Sequence, residues 1–304
     1  MSDLVHELIR AANLSQAVDR VEPVATQGAI NRHDLVVLED GSQFVARTYR
    51  WPFDEPSTID RQSKEEWLLP LLREASVPVP EVIASVPGAV LTSYVAGELL
   101  AEVPTDLRAW TDAGRTLAIA HEIVFDRAGL VVAGGVDPFR EGSWGAWTVG
   151  DCERNAVRLA ARRSDLRVDP AEVRAVVAAA QPLLDAQPVR LLHNDPHPWN
   201  ILVRGGRCVA WLDWEFAWAA DPTWDLVRNA LFRMTDIGPT PKEFYEGYGR
   251  EPDPVLFAVG ELVLYLWMAN ESRYSDTVSV TYAAAERYVA DLPARLARLR
   301  RLVG

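Results

Sequence analysis

His193-Asn194-Asp195-Pro196-His197-Pro198-Trp199-Asn200 runs directly into Ile201-Leu202-Val203. A Gly205-Gly206 pair follows, then an apolar run from Cys208 to Leu212, then Asp213-Trp214-Glu215. Gly-Gly between two strand-like runs reads as a tight hairpin. Folding that hairpin back sets Asp213 beside Asn200, so the oxygens of Asp195, Asn200 and Asp213 can converge on one point. A carboxylate, an amide and a second carboxylate in that order suit phosphoryl transfer. The first takes the proton of an attacking hydroxyl, and the other two hold Mg²⁺ against nucleotide phosphates.

The order H-x-D-x-x-x-x-N followed by D-x-x matches the catalytic loop and metal motif of kinases. In the form written here it resembles the aminoglycoside phosphotransferase and choline kinase family. Asp221-Pro222-Thr223-Trp224-Asp225-Leu226 resembles that family's D-P-x-x-D-L segment. The resemblance implies an α+β, two-lobed protein-kinase-like fold. Residues 1–95 would form a small β-rich lobe, and residues 96–304 a larger, mainly helical one. It implies ATP or GTP with Mg²⁺ in the cleft, Asp195 as the catalytic residue, and Asn200 and Asp213 as metal ligands. Read singly, Asp221 is a turn or helix-capping residue ahead of Pro222. Asp225 is a buried partner of the catalytic loop. His197 is a loop residue, because no second His or Cys stands at zinc spacing.

The N-terminal part reads as strand, glycine loop, strand, Asp40-Gly41 turn, strand. On the resemblance, Gly28 and Asn31 lie over the phosphates, and the third strand delivers a lysine to them. This chain has Arg47 in that slot. Arginine can grip phosphate in a forked way, but it is bulkier and not interchangeable with lysine. A helix predicted from Ile59 to Ala75 places Glu65, Leu68, Leu69 and Leu72 at i, i+3, i+4 and i+7. Glu65 is therefore the expected partner of Arg47, with Glu66 one residue away as the alternative. Pro70 is expected to kink or split this helix. Ser93, Tyr94 and Val95 fall where the family's hinge backbone meets the nucleotide base.

From Asp106 onward the pattern is helical. Leu107 to Glu122 reads as a buried helix with His121 in its packing. The Gly- and Trp-rich stretch from Val131 to Gly150 reads as a connection or lid, and Asn155 to Arg163 and Pro170 to Leu184 as helices. Few residues separate Asp213 from Asp221 and no A-P-E follows, so there is no activation loop to present a peptide. The expected acceptor is a small-molecule alcohol, cationic in character. An aminoglycoside-like or other antibiotic would use acids such as Asp151, Glu153, Asp236, Glu261 and Glu271 for its amines. Choline or a related amino alcohol would use an aromatic cage from Trp214, Trp218, Trp224 and Trp267. Glu215, Trp218, Glu261, Trp267 and Glu271 are the candidate acceptor contacts. A non-catalytic nucleotide-binding protein is the third reading, which Arg47 favours and Asp195, Asn200 and Asp213 oppose.

The whole chain agrees with a globular enzyme. Its 304 residues, 49% of them apolar, are enough for two lobes. A net charge of −12 argues against a nucleic-acid partner, which needs a basic stripe. The same charge can steer a cation, though it also serves solubility. Cys152 and Cys208 form no disulfide framework and fit a reducing cytoplasm. Met1 to Leu14 reads as an amphipathic helix rather than a signal peptide. The longest apolar run, Leu256 to Ala269, is interrupted by Gly260 and Glu261 and is too short to span a membrane. Arg287, Arg295, Arg298, Arg300 and Arg301 are expected on the solvated face of a last helix, with Leu292, Leu296 and Leu299 inward. Nothing in the sequence selects an oligomeric state.

Overall fold

The computed structural model describes residues 3–24, 31–50, 60–163, 168–231, 239–270 and 282–304. The stretch 25–30, which contains Gly28, lies outside the described residues, as do Asp236 and Glu271.

The chain opens with α1 (Asp3–Ala11), whose Val5, Leu8 and Ile9 are buried against the first sheet. That sheet contains β1 (Val18–Pro23), β2 (Arg32–Leu38), β3 (Gln43–Thr48), β4 (Val82–Val86) and β5 (Ala89–Ser93). It is antiparallel throughout, in the order β1-β2-β3-β5-β4. Between β3 and β4 comes α2 (Arg61–Glu74), capped by the Asp60 side chain accepting from Ser63 N. Pro70 does not split it. Its ring faces solvent, where water can reach the carbonyl its missing N–H leaves free, and the helix remains one segment through Glu74.

After the first sheet come β6 (Glu98–Leu99) and α3 (Leu107–Ala120). The Gly- and Trp-rich stretch read as a connection or lid contains a hairpin and the start of a helix. The hairpin is β7 (Gly129–Val132) with β8 (Gly135–Pro138), and the helix is α4 (Trp144–Arg162). Ser143 caps α4 by accepting from Ala146 N, and Trp144 and Trp147 in its first turn pack into an aromatic cluster. Packing of those indoles overrides the loop-like composition. Then come α5 (Pro170–Asp185), β9 (Arg190–Leu192), β10 (Ile201–Arg204), β11 (Arg207–Trp211), β12 (Trp218–Ala220) and α6 (Thr223–Leu231). The chain ends with α7 (Lys242–Tyr248), α8 (Pro254–Asn270) and α9 (Tyr282–Val303).

Two pairings position the site. β10 and β11 form the expected hairpin, with Ile201 opposite Trp211 and with Gly205 and Gly206 both at positive φ, 59° and 77°. Both turn residues must adopt that left-handed region for a two-residue hairpin, which glycine does without strain. β12, just after the metal motif, pairs with β9, just before the catalytic loop, setting Trp218 opposite Leu192. The two functional loops are therefore held at one end of neighbouring strands. Below them α3 and α7 approach so closely that a Cβ on Gly114 would lie 1.9 Å from the Phe244 carbonyl oxygen. No helix among the described residues is long and apolar enough to cross a membrane.

Candidate active site

The catalytic loop hangs from a single buried carboxylate. Asp225, 0% exposed on α6, accepts from His193 N at 2.7 Å, from Asn194 N at 2.9 Å and pairs with His121 Nε2 at 3.0 Å. Asn194 sits at φ 64°, a region that Asn tolerates better than most residues. Its side chain is held from both ends: Nδ2 donates to Phe216 O at 3.1 Å and Oδ1 accepts from Trp224 Nε1 at 2.7 Å. His193 ties this loop to the next. Its Nε2 donates to Leu212 O at 2.8 Å while Nδ1 accepts from Asp195 N at 3.2 Å. Burial pushes this imidazole toward its neutral form, which the donor-plus-acceptor pattern requires.

Asp195 and Asn200 are joined side chain to side chain. Asn200 Nδ2 donates to both the backbone oxygen and Oδ2 of Asp195, each at 3.0 Å. That use of the nitrogen leaves Oδ1 as the atom of the amide that can accept or ligate. Leu212 N donates to Asn200 O at 2.8 Å, so the hairpin does bring the Asp213 end of β11 back to Asn200. Asp213 itself is at φ 64°, and its side chain is 33% exposed.

Facing Asp213 is a cluster contributed by the five-stranded sheet and α2. Arg47 reaches Glu65 Oε1 from Nη1 at 2.9 Å and Asp213 Oδ1 from Nη2 at 2.5 Å. Glu66 instead accepts from Gln62 at 2.7 Å, which settles which glutamate meets the strand cation. Tyr49 donates to the other oxygen of Glu65 at 2.5 Å. Burial works to raise the Asp213 carboxyl, but the charge and hydrogen bond of Arg47 override it and hold it below its ordinary range. Burial pushes Glu65 up to about 7, against the pull of Arg47.

An oxygen donor set of one carboxylate and one amide oxygen, open on one side, fits a Mg²⁺ that keeps waters and takes phosphate oxygens. No group of three or more His, Cys, Asp or Glu side chains suited to a metal occurs among the described residues. Residues 21–259 match the model of the phosphotransferase enzyme family described as APH.

The chain belongs to the phosphotransferase enzyme family.

Solved structures agree on the fold. This phosphotransferase matches the apoenzyme of the macrolide 2′-phosphotransferase MphH from Brachybacterium faecium at 19% identity and TM-score 0.59, over 95% of this chain and 97% of that one. It matches a streptomycin–ATP ternary complex of APH(2″)-IIa at 15% identity and TM-score 0.66, over 98% of each chain. It also matches a thermostable mutant of APH(4)-Ia, in complex with AMP-PNP and hygromycin B, at 16% identity and TM-score 0.69, over 98% of this chain and 99% of that one. None of the curated proteins matches it in sequence. It is a small-molecule phosphotransferase with a two-lobed, kinase-like fold.

Several expected acceptor contacts are placed elsewhere in the phosphotransferase. Glu215 does not face an acceptor. It is 1% exposed, and its Oε2 accepts from Asn31 Nδ2 and Arg61 Nη1, both at 2.8 Å. Asn31, expected over the phosphates, is itself buried in this contact and also accepts from Arg61 and Arg50 N. Glu261 is likewise corrected: it is buried on α8 and pairs with Arg295 at 2.7 Å and with Arg298. Those two arginines therefore do not lie free on a solvated face, although Leu292, Leu296 and Leu299 do turn inward. A long apolar helix that carries one acid must neutralise it, and the neighbouring helix supplies the charge.

Trp218 and Trp267 join Phe139, Trp144, Trp147 and Trp224 in one cluster, with neighbouring ring centroids 4.9–6.4 Å apart. Trp214 is separate from it and fully buried against His193. Ser93 closes β5 through its N–H to Glu81 O, and Tyr94 is 41% exposed. Val95 follows them, half-buried, just past the end of β5.

Two residues at the site escaped the sequence reading. Arg61 lies four residues before Glu65, so the same helical stripe that marked Glu65 marks it too. Arg228, three residues after Asp225 on α6, contacts Asp195 Oδ1 at 3.3 Å and lies over the Trp224 ring at 5.8 Å. Its i+3 spacing from a buried acid was the available signal.

Proposed function

We propose that this phosphotransferase moves the terminal phosphoryl group of ATP or GTP, taken up as its Mg²⁺ complex, onto a hydroxyl of a small-molecule alcohol. The observation that carries this reading is the join between the two loops. Asn200 bonds the Asp195 carboxylate with its nitrogen and receives Leu212 N on its backbone, next to Asp213. Asn200 and Asp213 would hold the metal, which when bound neutralises charge on the phosphates. Asp195 receives the proton of the acceptor hydroxyl and orients it. Arg47, braced by Glu65, is the clamp for the nucleotide phosphates. Main-chain groups of Ser93, Tyr94 and Val95 meet the base. Positioning and charge supply most of the acceleration in this chemistry.

The acceptor we favour is an antibiotic-like alcohol with an apolar body. Support comes from the macrolide and aminoglycoside names of similar structures. It comes also from the partly exposed indoles of Trp147, Trp218 and Trp267 beside the strand that leads to the catalytic loop. Asp151, which accepts from Trp267 Nε1 at 2.6 Å, is the acid positioned to meet an amine there. The cage that choline needs is less well supported. Its rings fill one another's faces, whereas an ammonium enclosed between two rings needs each within about 6 Å of it. The two cysteines are buried and free, which supports a cytoplasmic setting.

The test is a panel of macrolides, aminoglycosides, amino alcohols and nucleosides, scored for ADP or GDP release with the wild type and with Asp195→Asn. Turnover on at least one alcohol that vanishes in the variant, with nucleotide binding retained, is the expected result. Mg²⁺-dependent thermal stabilisation by ATP with no turnover on any alcohol would instead mark a nucleotide-binding protein without catalysis.

A further inference from the structure

Glu215 stands in the third position of the metal motif, yet its carboxylate is buried against Asn31, Arg47 and Arg61. There, two guanidinium groups, of Arg47 and Arg61, face three carboxylates, of Glu65, Asp213 and Glu215. Arg47 Nη2 is the shared atom: it lies 2.5 Å from Asp213 Oδ1 and 3.1 Å from Glu215 Oε2. Glu215 is fixed independently of Arg47 by Arg61 Nη1 and Asn31 Nδ2.

This geometry meets a difficulty that Arg47 itself creates. With Asp213 taken as a metal ligand, the same lone pairs cannot serve both Mg²⁺ and the guanidinium, and the two cations repel. A lysine has one nitrogen and can retreat to Glu65. A guanidinium has a rigid fork, and when one arm stays on Glu65 the other needs a partner near Asp213. A buried cationic arm left without one is costly.

The geometry points to Glu215 as a positioning residue that receives Arg47 Nη2 when metal-bound nucleotide takes Asp213, with Arg61 and Asn31 holding the receiving carboxylate in place. Glu215 touches neither the acceptor nor the reacting atoms; it acts through Arg47. The inference rests on Asp213 as a metal ligand and on Arg47 as the phosphate clamp, which with both terminal nitrogens held by carboxylates would meet the phosphates through Nε, buried without a hydrogen-bond partner in the structure. It adds a reason why arginine can occupy the lysine slot in this chain: the D-W-E motif provides a second seat for the guanidinium.

Calorimetric titration of ADP with and without Mg²⁺ tests it, because the readout is binding and not turnover. The quantity of interest is the gain in ADP affinity on adding Mg²⁺. Glu215→Gln should cut that gain about tenfold, the value of one charged hydrogen bond, while changing metal-free affinity less than about twofold. In an Arg47→Lys background the same substitution should change the gain by less than about twofold, since the ammonium does not use Glu215. An equal loss with and without Mg²⁺ would reduce Glu215 to a structural role and overturn the inference, as would an equal loss in the two backgrounds. Asp213→Asn separates this from the parent reading. If that variant keeps the Mg²⁺ gain, the metal assignment fails and the hand-off falls with it. If it loses the gain and Glu215→Gln does not, the hand-off alone is wrong. Should Glu215→Gln fail to fold, Arg61→Met with Glu215→Gln removes one charge of each sign and serves the same comparison.

Discussion

Replacing Asp225 by asparagine changes one atom and removes one charge at the point from which the catalytic loop hangs. The aspartate accepts from two successive backbone N–H groups, at 2.7 and 2.9 Å, and pairs with His121 at 3.0 Å, with no exposed surface. Asparagine keeps one oxygen. It can satisfy one of the two N–H groups, and its own NH₂ then points at the other donor. The loss is one charge-assisted hydrogen bond, worth about 2 kcal/mol, plus one buried unsatisfied N–H at about 1–3 kcal/mol, so a destabilisation of about 3–5 kcal/mol is expected. Urea unfolding followed by tryptophan fluorescence reads it as a fall in midpoint at unchanged slope. Folded protein should also turn over slowly, because Asn194 and Asp195 follow the shifted backbone, and about 1 Å of misplacement costs on the order of a hundredfold. A loss below about 1 kcal/mol would show that the loop holds itself and that the buried-carboxylate argument is wrong.

Three further outcomes are expected. Gly114→Ala drives a Cβ to within 1.9 Å of the Phe244 carbonyl oxygen, so α3 and α7 must separate; a loss of about 3 kcal/mol or more by thermal unfolding checks it. Glu261→Gln should weaken the α8–α9 junction by about 1–2 kcal/mol, because its arginine partners are part-exposed, and leave the acceptor KM unchanged. An altered KM there would restore Glu261 to the acceptor site. Lys64, fully buried on α2 with its Nζ on Ala217 O at 3.3 Å, is lowered by burial from 10.5 to about 8. Between those pH values the unfolded chain holds a proton that the folded one has released, so stability rises with pH across that window. Relative to Lys64→Met, the wild type should gain stability from pH 8 to 10.5 in paired urea titrations; a flat difference would refute the burial argument.

The mistaken assignments share a cause. Glu215 and Glu261 were nominated for acceptor amines because an acid near a functional motif, or an acid in an apolar helix, signals purpose. In both cases the acid pairs with an arginine from another segment: buried Arg61 lies 154 positions from Glu215, and part-exposed Arg295 lies 34 from Glu261. Local patterning carries no information about such partners. The stretch from Val131 to Gly150 misled for a related reason, since its glycines look like a lid until Trp144 and Trp147 find the other rings.

What the sequence determined alone was the family and the local geometry of the candidate site. Asp195, Asn200 and Asp213 lie within nineteen positions of one another, joined by a hairpin whose Gly-Gly turn admits the left-handed φ that such a turn needs, so local pairing suffices to predict that the Asp213 end returns to Asn200. The tertiary structure alone decided which charges are spent. Burying Arg47 and Arg61 required carboxylates from both sides, and only the packed chain shows that Asp213 and Glu215 join Glu65 in answering them. Charge neutralisation in a low-dielectric interior is set by proximity in space, and the order of residues along the chain does not encode it.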